Sequence, residues 1–170
     1  MLQAFSQDNK DRWILTVDLE QKKLVPLERI HDDAWINWAF RDLGWMRDNR
    51  GIWFLSEESG YSHLYVRGTE PSGRRRALTS GSFEVSSPVL SRDGSRFYVL
   101  ANREHPGSTE VYRVAVIDGA IERLTTLGGR TDFVLSPDET RLLLTASHPT
   151  KPPELFVQAA QEGAKATQLT

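Results

Sequence analysis

The 170 residues contain no cysteine, which excludes disulfides, thiolate catalysis and cysteine-ligated zinc together. There is no apolar run near the roughly 20 residues needed to span a bilayer, so no membrane segment is expected. The opening Met1-Leu2-Gln3-Ala4-Phe5-Ser6 lacks the charged start and apolar stretch of a signal peptide, so the export signal of a secreted parent is expected upstream. Charge of one sign is also missing. The formal net charge is −2, which gives no long-range pull toward nucleic acid. The one basic run, Arg74-Arg75-Arg76, is too short for a binding arm and is expected solvated in a turn. No stretch of ten or more residues keeps a 3.6-residue apolar period, so helices are not expected. With 39% hydrophobic and 26% charged residues, the chain has the composition of an ordinary globular domain. At this length folding buries roughly 70% of the unfolded surface.

A repeat fills the space these absences leave. The aspartates Asp48, Asp93 and Asp138 are spaced by 45 and 45, and the pairs Leu78-Thr79, Leu124-Thr125 and Leu169-Thr170 by 46 and 45. Two independent landmarks share one period, and each unit has the same internal order. In the central one a short apolar strand meets the turn Ser91-Arg92-Asp93-Gly94-Ser95. The strands Arg96-Phe97-Tyr98-Val99-Leu100-Ala101, Glu110-Val111-Tyr112-Arg113-Val114-Ala115 and Ile121-Glu122-Arg123-Leu124-Thr125 follow. Aspartate accepts from local amides and glycine takes φ values closed to other residues, which is why such residues punctuate strands. Val, Ile, Tyr, Phe and Trp recur at strand spacing.

Four strands at a period near 45 make the blade of a β-propeller. The fold class is therefore all-β, a partial propeller of three complete four-stranded blades and one incomplete N-terminal blade. The blades fall near 1–30 (incomplete), 40–79, 84–125 and 130–170. Residues 2–6, 12–19 and 23–27 stand as the second, third and fourth strands of the incomplete blade. The terminal blades are expected to leave apolar faces uncovered, to which Ile14 and Val17, or Leu142, Leu143 and Leu144, contribute. An uncovered face drives self-association, with two copies closing a ring of about eight blades.

Particular residues narrow the family. The hairpin Phe54-Leu55-Ser56-Glu57-Glu58-Ser59-Gly60-Tyr61-Ser62-His63-Leu64-Tyr65 and the run Leu78-Thr79-Ser80-Gly81-Ser82-Phe83-Glu84-Val85 resemble those of dipeptidyl peptidase IV-like propellers, in the prolyl oligopeptidase family. Asp32-Asp33-Ala34-Trp35-Ile36-Asn37, Ala101-Asn102-Arg103-Glu104-His105-Pro106 and Pro152-Pro153-Glu154-Leu155-Phe156 have counterparts in the same order. The resemblance implies a secreted or periplasmic serine peptidase that removes dipeptides from peptide N-termini. It implies as partners a C-terminal α/β-hydrolase domain holding a Ser-Asp-His triad, and a peptide substrate admitted by the propeller. A stand-alone propeller that binds or scaffolds is the competing reading, although the Gly-His and Trp-Asp dipeptides of WD repeats are absent.

The chain itself offers little chemistry. Gly60-Tyr61-Ser62-His63-Leu64 lacks the final glycine of a nucleophile elbow, and neighbours on a strand face opposite ways, so Ser62 and His63 are not expected to act together. Glu57-Glu58 invites comparison with the paired glutamates that hold the substrate amino terminus in this family. Those lie in a helical insertion of an earlier blade, and the role is not carried over. His31, Asp32 and Asp33 are adjacent on an extended segment and do not converge on an ion, so neither metal nor cofactor is expected. Residues 31–42 form the longest inter-blade connection. The spacing from Leu27 to Leu78 exceeds the period by about six residues, and long loops with aromatics are often functional. Trp35, Asn37 and Trp38 are the candidates for substrate contact, against the alternative that the tryptophans pack between blades.

Overall fold

A computed structural model describes residues 1–70 and 72–170. Its fifteen strands form four antiparallel sheets in chain order. The first holds β1 (Leu2–Phe5), β2 (Asp11–Asp18) and β3 (Lys23–His31). The second holds β4 (Leu43–Trp45), β5 (Gly51–Ser56), β6 (His63–Gly68) and β7 (Arg75–Ala77). The third holds β8 (Val85–Leu90), β9 (Arg96–Ala101), β10 (Glu110–Ala115) and β11 (Ile121–Arg123), and the fourth β12 (Arg130–Leu135), β13 (Arg141–His148), β14 (Lys151–Ala159) and β15 (Thr167–Gln168). Within every sheet the strands pair in sequence order. Among the described residues the one helical element is a 3-10 turn, Trp38–Phe40, and none is long and apolar enough to cross a membrane.

The sheets are joined by three cores, one between each consecutive pair. Ile14, Leu27 and Ile30 of the first blade meet Ile52, Phe54 and Tyr65 of the second. Leu55 and Leu64 of the second meet Phe97, Val99, Tyr112 and Val114 of the third. Tyr98, Leu100, Val111 and Leu124 of the third meet Leu142 and Leu144 of the fourth. Strand alternation explains this sorting: Phe97 and Val99 point one way from β9, Tyr98 and Leu100 the other. A strand covered on both faces is apolar throughout, and in β9 every residue after Arg96 is buried. The terminal blades alternate instead. Ile14, Leu142 and Leu144 lie fully inside, whereas Val17 and Leu143 are more than 40% exposed. Of the five residues expected on uncovered faces, only Val17 and Leu143 are there.

Both repeated landmarks have a hydrogen-bonding cause. In the turns, Ser91 Oγ donates to Asp93 Oδ1 at 2.6 Å and accepts from Arg96 N at 3.1 Å, while Ser95 N donates to Asp93 Oδ1 at 2.9 Å. Ser136, Asp138, Thr140 and Arg141 repeat the arrangement. The residue after each turn aspartate has positive φ, in Asn49, Gly94 and Glu139. These donors hold the Asp93 and Asp138 carboxyls well below the usual range, at about 2. In the Leu-Thr pairs the leucine amide bonds the neighbouring strand: Leu78 N to Leu64 O, Leu124 N to Val111 O, Leu169 N to Leu155 O. The threonine hydroxyl then accepts that strand's amide, from Leu64, Val111 and Leu155 at 2.9–3.0 Å. Each pair thus closes a blade by tying its fourth strand to its third.

Two expectations are corrected. The fourth strand of the first blade continues past Leu27 to His31, because a bulge between Ile14 and Leu15 shifts the pairing and sets Ile30 opposite Arg12. Ile30 therefore occupies the position of Leu78 and Leu124, and the spacing from it to Leu78 exceeds the period by about three residues rather than six. The basic run is exposed, as expected, but does not form a turn. Arg75 and Arg76 belong to β7, and Arg75 pairs with Glu58 at 2.5 Å and Glu28 at 3.5 Å.

Candidate functional site

The turns at 46–50, 91–95 and 136–140 and the hairpins between third and fourth strands share one end of the blades. At the opposite end lie the loops between second and third strands and the connections from blade to blade. The segment 32–42 is one of these connections. Its start is tied down by Asn9, held at φ 58° in the turn Ser6-Gln7-Asp8-Asn9. Ile36 N donates to Asn9 O at 2.8 Å, Asn9 Nδ2 to Ile36 O at 2.9 Å, and Trp38 Nε1 to Asn9 Oδ1 at 2.8 Å. Within the segment Asp32 Oδ1 accepts from Ala34 and Trp35 amides. Asn37 Oδ1 accepts from Ala39 N at 3.0 Å and so caps the 3-10 turn.

The end of the segment is held by Arg12, a residue with no evident role in the sequence. Its side chain is 1% exposed. Nη1 donates to Leu55 O at 2.9 Å and Phe40 O at 3.1 Å, Nη2 to Arg41 O at 2.7 Å, and Nε to Gln3 Oε1 at 3.1 Å. One guanidinium therefore joins the first blade, the second blade and the connection. Burial lowers its pKa to about 10, with Asp42 acting the other way.

Of the three candidate residues, Trp35 is the most open, at 58% exposed, and Trp38 follows at 48%. Trp38 stacks on Phe5 with ring centroids 4.7 Å apart, and the Arg41 guanidinium lies 5.6 Å from its ring. Neither tryptophan is buried between blades. That place belongs to Ile36. Asn37 is committed to the loop's own geometry, through its cap and through its amide, which donates to Glu57 Oε2 at 3.2 Å. Burial pushes the Glu57 carboxyl up, opposed by the Asn37 amide and reinforced by Glu84 and Asp32. Beneath the segment a cavity of about 20 Å³, lined by Arg12, Ile36, Phe40 and Glu57 among others, has room for about one water.

The remaining polar candidates are occupied structurally. Ser62 is fully buried with Oγ donating to Val85 O at 2.8 Å. His63 faces the other way, bonded to Thr79 Oγ1 and Gly81 O. Its place at the start of the third strand is taken in the next blade by Glu110, which receives the Thr125 hydroxyl, Gly128 N at 2.7 Å and Arg123. His31 bridges two carboxylates, with Nδ1 2.9 Å from Asp11 and Nε2 3.2 Å from Asp33. These contacts raise its pKa above the ordinary value, the hydrogen bond to Asp11 being the largest cause.

Consecutive four-stranded antiparallel blades, packed face to face and closed by their fourth strands, define part of a β-propeller. The chain belongs to the family of the dipeptidyl peptidase IV (DPP IV) N-terminal region, whose model matches residues 1–153. Its fold is similar to that in the crystal structure of Porphyromonas gingivalis dipeptidyl peptidase 4, with a TM-score of 0.81 and 18% identity. The match covers 99% of this chain and 24% of that one, and at that identity the likeness is one of fold. No curated protein matches the chain in sequence.

Proposed function

We propose that this chain is the propeller portion of a dipeptidyl peptidase IV-like serine exopeptidase. In this reading it gates and positions peptide substrates for a C-terminal α/β-hydrolase domain in a secreted or periplasmic protein. The observation that carries the reading is the 32–42 connection: a loop held at both ends that offers Trp35 and Trp38 at one end of the blades. A fixed aromatic surface suits a peptide, because ring faces bury apolar side chains with little ordering cost. Family membership over residues 1–153 supports the class of activity, which belongs to the complete protein.

The test is Trp35→Ala in the full-length protein, read on dipeptidyl chromogenic substrates. With 58% of Trp35 exposed, truncation should leave the melting temperature within roughly 2 °C, as for surface changes. kcat/KM should fall about tenfold, the equivalent of about 1.4 kcal/mol. An unchanged kcat/KM removes Trp35 from the substrate path.

A further inference from the structure

The junctions between consecutive blades are not equally closed. Between the second and third blades, the hairpin 116–120 lies directly against the end of the fourth strand before it. Arg76 donates to Val116 O, and Gly119 comes so near that a Cβ there would stand 2.5 Å from Leu78 O. Only glycine permits that approach. Between the third and fourth blades the same parts stand apart. Gly163 holds the place of Gly119 in the hairpin 160–166, also with positive φ, yet nothing lies within 4 Å of where its Cβ would be. Glu122, in the place of Arg76, turns to Arg113 of its own sheet. The hairpin 160–166 is also longer than its counterpart. What remains between it and β11 is a cleft of about 580 Å³, a volume ordinary for ligand pockets.

One buried polar side chain opens into this cleft. Leu124 O, the counterpart of Leu78 O, accepts from Gln158 Nε2 of β14 at 2.8 Å, and Ala159 O accepts from the same nitrogen at 3.4 Å. Both partners are carbonyl oxygens, so this end of the side chain is the amide NH2 and the other end is Oε1. Gln158 is only 5% exposed. Among the described residues no donor reaches Oε1, and it is not one of the unpartnered atoms sealed from solvent. It therefore faces the cleft that Gln158 lines. An amide oxygen in a buried side chain favours a ligand that brings an N–H or O–H donor.

The surroundings narrow the class of ligand. Leu124, Leu127, Ala164 and Ala166 make the walls aliphatic, with no aromatic ring among the lining residues. Arg123 is already bound to Glu110 and Thr125 O. Glu162 and Lys165 stand exposed at the rim, and among the described residues neither forms an ion pair. The cleft thus offers one acceptor within, aliphatic sides, and one charge of each sign at its edge. A short peptide answers all three, with its backbone N–H, an aliphatic side chain, and its ammonium and carboxylate ends.

We propose that the cleft between β11 and the 160–166 hairpin is a binding site for a short aliphatic peptide with free termini. A backbone N–H of the peptide donates to Gln158 Oε1, a side chain covers Leu127 and Ala164, and the two termini meet Glu162 and Lys165. Every residue of the site belongs to the third or fourth blade, so it is separate from Trp35 and Trp38 and does not rest on the function proposed for them. Valyl-leucine titrated into the chain, followed by amide NMR, should shift the Gly163 backbone and Gln158 side-chain signals saturably. Ala164→Phe fills the cleft from the hairpin and should abolish those shifts. Gln158→Met should weaken binding about tenfold, the worth of one hydrogen bond to a buried group. Glu162→Gln should weaken the free dipeptide severalfold and leave its N-acetyl form unchanged, and Lys165→Gln should do the same for the C-terminal amide. Ala164 lies on the hairpin outside the strands, so its variant stays informative if Gln158→Met fails to fold. Shifts still linear at about 20 mM, binding that survives Ala164→Phe, or charge variants that weaken free and capped dipeptides alike would overturn the proposal.

Discussion

Arg12 is where the architecture is most exposed to a single change. Its guanidinium is buried with no carboxylate in contact, and its charge is answered by carbonyls from Phe40, Arg41 and Leu55. Burial lowers its pKa to about 10, a cost on the order of a few kcal/mol to the charged form. Each hydrogen bond from a charged donor returns about 1.5–3 kcal/mol net, so three carbonyl bonds outweigh the burial cost. Arg12→Met relieves that cost but leaves three carbonyls without their donor. It should therefore lose about 3 kcal/mol, or roughly 6–12 °C in a domain of this size.

Arg12→Lys sharpens the test. An ammonium keeps the charge, but from one point it cannot span carbonyls on two blades and a loop. Lysine should consequently be no better than methionine, although it conserves charge. Urea denaturation followed by tryptophan fluorescence measures both variants, and the emission of Trp38 reports whether its stack on Phe5 survives when the loop end is released. A lysine variant of wild-type stability, or a methionine variant losing under about 1 kcal/mol, a loss ordinary for any substitution, would show that the three-carbonyl clamp is not what holds the connection.

Other consequences are open to measurement. Ser91→Ala should raise the Asp93 carboxyl from about 2 toward its ordinary value, since the Ser91 hydroxyl is the largest cause of its depression. The stability it contributes is present above pH 3.8 and lost as pH falls toward 2, and carbon-detected NMR titration would expose an Asp93 that already titrates normally. His31 has the opposite sign: its contacts with Asp11 and Asp33 stabilise fully below pH 6.5 and fade as pH rises through its elevated folded value. Asp11, itself depressed chiefly by Arg29, limits the acid side below about pH 3.8. His31→Gln should remove the fall in stability that sets in above pH 6.5, and a folded imidazole titrating at or below 6.5 would contradict the bridge. The outer faces carry Val17 and Leu24 at one end of the stack and Val134, Leu143 and Leu169 at the other, all more than 40% exposed. Two copies of this chain should therefore associate through them at tens of micromolar, an affinity range natural to weak contacts. Light scattering that returns a clean monomer at that concentration would dispose of the idea.

What could be read from the sequence, and what could not, divides by the range of the interactions. The Asp48, Asp93 and Asp138 period is visible because each turn closes its own hydrogen bonds within five residues. The Leu-Thr pairs are visible because hydroxyl and amide meet across a hairpin of fixed length. The bulge at Ile14 is not, because nothing local marks it, and Leu27 took the place that belongs to Ile30. The turn at Ser6-Gln7-Asp8-Asn9 is legible from the order of the strands and not from its own chemistry. Its Ser–Asp hydrogen bond, at 2.5 Å, copies the turns that join first and second strands, yet it joins β1 to β2 at the opposite end of the stack. Arg12 places it there by reaching Leu55 O, next to the 57–62 loop. Strand patterning reads such a lone charged residue as solvent-facing, and only contacts 28 to 43 residues away draw it inside. The same distances govern the site. Trp35 and Trp38 could be picked out as aromatics in a long connection. What makes that connection a fixed surface is Asn9 and Arg12, which belong to the preceding blade and share no local window with it.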